Sequence, residues 1–316
     1  MSRRRGGTPS VLNCRPVKGQ AIKLKGYGFI LLAAALWGMI GPFSRLAFRE
    51  GVAPVEAAFW RATMAWACFG LHALVRGEVR LKRRDIAPLL GFAVSGVTLF
   101  YGSYQIAIRE GGAALAAVLL YTAPAWVALI SRVIFKEPMG PLKLLALALT
   151  LFGVAVVSLG AGGIDLGSPG ANPLIAVGAG LVAGFCYALY YIFGKYFSGR
   201  YSSPNLFFYM LPVGALGLSP WVSLGARSPL AWLALGTVAL VSTYGAYLCY
   251  YKGLYYLEPT RAAIVASLEP VIAGVVAFLW WGEYFSPAGY LGSSLVQGAV
   301  FCIIWDGGRG TGCGPR

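Results

Sequence analysis

Residues 121–137 read YTAPAWVALISRVIFKE, and residues 267–283 read SLEPVIAGVVAFLWWGE. One offset of 146 carries Pro124 onto Pro270 and Glu137 onto Glu283. The same offset carries Tyr101 onto Tyr247 and Tyr104 onto Tyr250 on the apolar segments that precede them. Four matches at one offset are the mark of an internal repeat whose unit is longer than any single helix.

Outward from these two stretches the chain is a succession of apolar runs, at 27–48, 54–75, 86–108, 112–135, 141–160, 173–197, 204–224, 229–252, 260–281 and 286–305. Each is about twenty residues, enough to cross roughly 30 Å of hydrocarbon as a helix. With 58% hydrophobic and 12% charged residues and a mean hydropathy of +0.69, the chain lacks the charged surface of a soluble domain. The fold class is therefore all-α integral membrane, with about ten transmembrane helices as two inverted five-helix repeats. Five crossings per repeat is an odd number, so the second copy enters the bilayer from the opposite face. The thinnest separation is between the third and fourth runs, where only Arg109, Glu110, Gly111 and Gly112 make the turn; one long kinked helix is the alternative there and would reverse everything downstream.

The formal charge of +15 would point to nucleic acid in a soluble protein. Here its location is a topology signal. With the N-terminus inside, about 21 of the 26 basic residues fall on cytoplasmic segments, and four (Arg45, Arg49, Arg109, Arg227) fall on outer ones. Both termini are thus expected in the cytoplasm of a bacterial inner membrane, with no nucleic-acid partner. The expected domains are a basic tail at 1–26, a first repeat at 27–160, a periplasmic linker at 161–172, a second repeat at 173–305 and a Gly-rich tail at 306–316. The first apolar run reads as a retained signal-anchor. Six cysteines without CxxC spacing read as free thiols, and the lone His72 supports neither a metal site nor a triad.

Ionisable groups inside a bilayer face a cavity by default. Glu269 sits near the middle of the ninth run and Arg61 a little outside the middle of the second. They are candidates for substrate contact, with a mutual ion pair as the structural alternative. Pro42, Pro124 and Pro270 each remove a backbone donor, leaving the carbonyls of Gly38, Leu120 and Ala266 free, and are candidate hinges. Trp37, Tyr121, Tyr187 and Tyr244 fall near run centres, where their polar atoms cannot reach headgroups, and are candidate cavity residues. Tyr104, Tyr250, Tyr251, Trp221 and Trp232 are assigned to the interfacial belt, and Glu137 and Glu283 to helix capping. Gly289, Ser293, Ser294 and Gly298 on the tenth run suit close helix packing or self-association, so a monomer or weak homodimer is expected.

These motifs resemble the drug/metabolite transporter superfamily and, within it, the EamA-like ten-span carriers. The features that carry the resemblance are Trp37-Gly38, Phe59-Trp60-Arg61, Tyr121-Thr-Ala-Pro124 with Glu137, and Pro259-Thr-Arg261 through Leu268-Glu-Pro270 to Glu283, over roughly 27–305. The resemblance implies a pseudo-twofold bundle whose cavity is lined by the first four helices of each repeat. It also implies secondary transport of small metabolites by alternating access, foremost export of amino acids or related compounds, with proton coupling left open. Multidrug or hydrophobic-cation efflux and sugar uptake are the alternatives within the class. An intramembrane enzyme is disfavoured, since there is no HExxH and no in-span aspartate, as is a non-transporting scaffold. No cofactor or metal is called for.

Overall fold

The computed structural model describes residues 18–160, 172–223, 225–282 and 286–309, and among them all regular structure is helical. The first half contains α1 (Lys18–Gly38), α2 (Ile40–Arg49), α3 (Pro54–Val75), α4 (Arg83–Ala93), α5 (Phe100–Leu120), α6 (Ala123–Ile134) and α7 (Pro141–Gly160). The second contains α8 (Pro173–Phe197), α9 (Ser203–Leu218), α10 (Pro229–Ala239), α11 (Ala246–Tyr256), α12 (Pro259–Ala266), α13 (Glu269–Trp281) and α14 (Pro287–Arg309). Proline in the first turn opens several of these helices, where its missing N–H would have had no intrahelical partner anyway. The side chains of Asn172, Ser202 and Ser228 cap α8, α9 and α10 by accepting from first-turn amides.

Seven helical segments are long and apolar enough to cross a membrane, and Pro141–Val157 is a shorter apolar one. Of the remaining apolar runs, the second forms α3, which carries Glu56 and Arg61, and the seventh forms the 16-residue α9.

The offset of 146 recurs in the backbone. A π-helical segment joins α4 to α5 at Val94–Leu99, and another joins α10 to α11 at Leu240–Gly245. The helix interrupted after Leu120 restarts at Ala123; its counterpart, interrupted after Ala266, restarts at Glu269. At both interruptions a side-chain hydroxyl satisfies a carbonyl of the turn before. Thr122 Oγ1 donates to Leu119 at 2.6 Å, and Ser267 Oγ to Ala263 at 3.0 Å.

The two halves interlock. α1 packs along α11 and α5 along α8, while α3 pairs with α9 and α7 with α14. Among the glycines that allow close approach, two are themselves 146 apart. A Cβ on Gly184 of α8 would meet the Leu119 carbonyl oxygen at 2.5 Å and Thr122 Oγ1 at 2.6 Å. One on Gly38 of α1 would meet Ile272 Cγ2 at 2.8 Å. Each half thus presses a bare backbone onto the interrupted helix of the other.

Several expectations need correction. Helix α1 begins at Lys18, inside the segment read as a tail at 1–26, and α14 continues to Arg309. Lys18, Lys23 and Lys25 therefore extend the first helix rather than precede it. The turn at Arg109–Gly112 is not a break in hydrogen bonding, because the backbone is helical from Arg83 to Leu120. Drawn straight, that length would be about 57 Å, nearly twice a hydrocarbon core. It contains the apolar segment Arg83–Ile108 and the beginning of another, Leu115–Ile134. No proline falls between them to force an end. The close small-residue contact of α14 is made by Gly292, whose carbonyl oxygen would lie 2.9 Å from a Cβ on Gly153 of α7. Asp165 and Glu283 lie outside the described residues, as does nearly all of the linker at 161–172.

Candidate functional site

Helices α1, α3, α5, α8, α11 and α13 converge on an aromatic interior. Tyr187, Tyr190 and Tyr191 recur at helical spacing on one side of α8. They meet Tyr247 and Tyr250 of α11, with Tyr190 stacked on Tyr247 at 5.7 Å and Tyr191 edge-on to Tyr250 at 5.4 Å. Trp37 adds edge contacts to Tyr247 at 5.5 Å and tilted contacts to Tyr250 at 5.2 Å. Phe207 closes the cluster against Tyr247 and Tyr251.

Two opposite charges enter this interior from different halves. Glu269, the first residue of α13, accepts a hydrogen bond from the Tyr187 hydroxyl at 3.2 Å. Tyr104 and Tyr121 lie within electrostatic reach of the same carboxylate. Arg61 of α3 donates from Nε to Thr243 Oγ1 at 2.7 Å, and Thr243 donates onward to the Val238 carbonyl at 2.9 Å. Thr243 belongs to the second π segment, where the widened turn shifts the backbone bonding register. The first π segment has its own cross-half contact, since Tyr190 donates to the Gly96 carbonyl at 2.6 Å.

Arg61 and Glu269 form no hydrogen bond or ion pair with each other, although each is within electrostatic reach of the other. Both side chains are only half-buried. Around them Trp37 Nε1 and the Tyr250 hydroxyl are buried without a partner. Unsatisfied buried donors cost free energy unless a ligand or water completes them. The arrangement can hold a small molecule that offers a donor to Glu269 and an acceptor to Arg61 between aromatic walls.

Most residues anticipated from the sequence meet here: Trp37, Arg61, Tyr121, Tyr187 and Glu269. Tyr244 does not. Its hydroxyl shares a 2.7 Å hydrogen bond with His72 Nδ1, toward the end of α3 that leads into Arg76–Arg84. Pro124 and Pro270 are the second residues of α6 and α13, so each sits at the restart of an interrupted helix. Pro42 lies in α2, three residues beyond the gap at Met39.

Tyr250 and Tyr251, which position along the run alone puts in the interfacial belt, are 0% and 8% exposed. Their face of α11 is covered by α1 and α8. Trp221, 67% exposed, keeps a position that suits the belt. Thr243, Tyr190, Tyr191 and Tyr247 were missed as site residues. The repeat match of Tyr101 with Tyr247 and the 187/190/191 spacing were the available signals.

At the end of the bundle bearing the Arg76–Arg84 turn, charges are paired. Lys143, 3% exposed, donates to Glu137 at 2.9 Å and to Glu258 at 2.6 Å; Glu137 is therefore an ion-pair partner and not a cap. Arg261 bridges Glu258 at 2.9 Å and Asp306 at 2.6 Å. Burial pushes the Glu258 carboxyl up, but the hydrogen bonds and charges of Lys143 and Arg261 outweigh it and hold the group below the usual carboxylate range. The opposite end has Arg227 gripping Glu56 with two hydrogen bonds, at 2.8 and 2.6 Å, and Ser228 donating to Glu50 at 2.6 Å. Among the described residues no group of three or more His, Cys, Asp or Glu could hold a metal ion.

The sequence profile of the EamA-like transporter family matches residues 24–159 and again 174–305. A protein of Archaeoglobus fulgidus named an uncharacterized transporter is 29% identical over 89% of this chain and 96% of its own. The uncharacterized inner membrane transporter YicL of Salmonella typhimurium is 24% identical over 90% and 97%. The uncharacterized transporter YdfC of Bacillus subtilis is 24% identical over 85% and 87%. One crystal structure shares the fold with a TM-score of 0.74 at 18% identity, over 89% of this chain and 96% of that one. With two matches that cover nearly all of its helices, this multi-pass membrane chain belongs to the EamA-like transporter family.

Proposed function

We propose that the chain is a secondary transporter that exports amino acids or related small metabolites by alternating access. Its ten crossings form two inverted repeats, 27–160 and 173–305, with Arg83–Ile108 and Leu115–Ile134 as separate crossings and both termini in the cytoplasm. The repeat reading is supported by the π segments, helix interruptions and glycine contacts that recur at one offset. Two copies related by an axis in the membrane plane can exchange shapes and open one site to alternate sides. No step of this cycle calls for enzymatic chemistry.

The observation that carries the substrate class is the unpaired opposition of Glu269 and Arg61 across an aromatic interior. Each charge is held by a neutral hydroxyl and not by the other, which leaves both able to grip a zwitterion, its ammonium on Glu269 and its carboxylate on Arg61. Aromatic faces then accept an apolar side chain. Glu269 among aromatic faces also suits a hydrophobic cation, which would need no Arg61.

Counterflow of radiolabelled L-phenylalanine into proteoliposomes preloaded with unlabelled amino acid tests the reading. Uptake above protein-free vesicles, lost in both Glu269→Gln and Arg61→Gln, is the expected result. Uptake of tetraphenylphosphonium but not phenylalanine, insensitive to Arg61→Gln, would transfer the site to cations. For orientation, Arg80→Cys in a cysteine-free background should escape an impermeant reagent added outside, and Asp165→Cys should react.

A further inference from the structure

A second cavity, of about 290 Å³, lies between the end of α3, the turn that follows it, the junction of α8 with α9 and the far end of α11. His72, Arg76, Glu78, Ser203, Tyr251 and Lys252 are among its walls. The volume is at the lower limit of small-molecule sites.

The turn that brings Arg76 and Glu78 to this cavity is rigidly built. Helix α3 ends in a left-handed glycine, Gly77 at φ +66°, with Gly77 N–H donating to Leu74 and Glu78 N–H to Ala73. Beyond it, Asn205 Nδ2 donates to the carbonyls of Glu78 and Arg80, and the Tyr209 hydroxyl to Val79. The acid is therefore held in place by its backbone, yet its carboxylate makes no hydrogen bond, and Oε2 is out of contact with water. The exposed guanidinium of Arg76, two residues away, also has no hydrogen-bond or ion-pair partner among the described residues, although its backbone N–H donates to the His72 carbonyl. A fixed turn that withholds a partly buried acid from the base beside it leaves the acid to be completed by something else, with the exposed base free to join in.

Two further groups face the same space. Tyr251, 8% exposed, has a hydroxyl buried without a partner. The N-terminus of the 16-residue α9, capped by Ser202, offers the Ser203 hydroxyl, which has no hydrogen-bond partner among the described residues, at the end of the helix where anions are favoured. Lys252 contributes less, since its ammonium lies 5.7 Å over the ring of Phe29. Leu248 and Tyr255 supply an apolar wall.

We propose that this cavity is a second binding site for a small zwitterion, with Glu78 receiving the ammonium and Arg76 with the α9 N-terminus receiving the anionic group. Two of its lining residues also contact groups on the aromatic side, His72 through its hydrogen bond with Tyr244 and Tyr251 through its edge contact with Phe207 at 5.3 Å. The choice of an amino acid as ligand rests on the proposed transport reading, whereas the zwitterionic chemistry rests on this cavity alone. The same chemistry is carried by a free amino acid and by the phosphoethanolamine head of a lipid.

Equilibrium binding to the full chain in phosphatidylglycerol nanodiscs separates the cases, with L-phenylalanine and glycerophosphoethanolamine as soluble probes. Two phenylalanine sites per chain are expected. Glu78→Gln and Arg76→Gln should each weaken one at least tenfold, and Glu269→Gln should weaken the other. Binding of glycerophosphoethanolamine alone, sensitive to Glu78 and Arg76, would uphold the site as one for lipid headgroups while the amino-acid reading of the central site failed. If neither probe binds in a manner that Glu78→Gln and Arg76→Gln both weaken, the site does not exist. Melting temperatures of both variants near that of the wild type would tie a lost site to the side chains and not to unfolding.

Discussion

The interruption at Tyr121–Thr122 and the one at Ser267–Leu268 share their backbone design, yet only the second is followed by an acid. The counterpart of Glu269 at the common offset is Ala123, 1% exposed. The base shows the opposite asymmetry, since Arg61 lies on α3 and its partner helix α9 carries no charged residue. The first helices differ as well, because α1 stops at Gly38 before Pro42, whereas α8 runs unbroken through Phe197. The two halves thus share the helix interruptions and the close glycine contacts, while the two in-helix charges are divided, one to each half. A duplicated frame can change shape symmetrically; an undivided set of charges in each half would build two sites instead of one.

The largest effect that could break this comparison is at the glycines. Gly184→Val would drive a branched side chain into two backbone carbonyls, which cannot swing aside, and should abolish folded protein. Gly38→Ala adds only one methyl, which meets the branch point of Ile272 and the Ala273 amide nitrogen, and should cost about 1–3 kcal/mol. Detergent-solubilised yield and thermal melting measure both, and equal losses would show that the halves are packed alike.

Next is the acid. Glu269→Gln should retain fold and lose about 10- to 100-fold in transport, the worth of one charge-assisted contact. Moving the carboxylate, with Ala123→Glu in a Glu269→Ala background, should not restore activity. Restoration would make the halves interchangeable. Because Arg61 rests on Thr243 and not on Glu269, Thr243→Val should cost less in an Arg61→Leu background than by itself. Full transport by Arg61→Leu with Glu269→Leu would remove both charges from the binding role.

Pro124→Ala and Pro270→Ala should each reduce transport a few-fold without loss of expression. Both interruptions are also held by hydroxyls, so a restored amide alone does not straighten the helix. An effect of Pro270→Ala alone would confine the hinge to the half that carries the acid.

The smallest effect is at the charge-paired end. Glu258→Gln should lower stability by about 1 kcal/mol at neutral pH, discounted for its partial exposure. The carboxyl titrates lower in the fold than unfolded, so its contribution is present above the unfolded value and fades as pH falls through the folded one. Melting curves of variant and wild type should therefore converge in acid.

Much of this protein was legible as pattern. Repeated apolar runs, basic clusters and the 146-residue offset follow from the bilayer's demand for long apolar helices with satisfied backbones. Glu269 and Arg61 stood out because charge is rare in such helices. Tyr250 and Tyr251 were misassigned, since a tyrosine near a helix end serves an interface or a core depending on which helix covers it. Glu137 reads as a cap in the sequence because its partner Lys143 belongs to the next helix, and the second acid on that lysine, Glu258, arrives from the other half.

The sequence alone thus determined the membrane class, the repeat and the two charges, because each is a local or periodic property of the chain. Only the tertiary structure decided that Arg61 bonds Thr243, that Glu269 bonds Tyr187, and that Gly38 and Gly184 press on opposite halves. Those choices depend on how helices from opposite halves of the chain pack across the bundle, and no spacing along the chain encodes that contact.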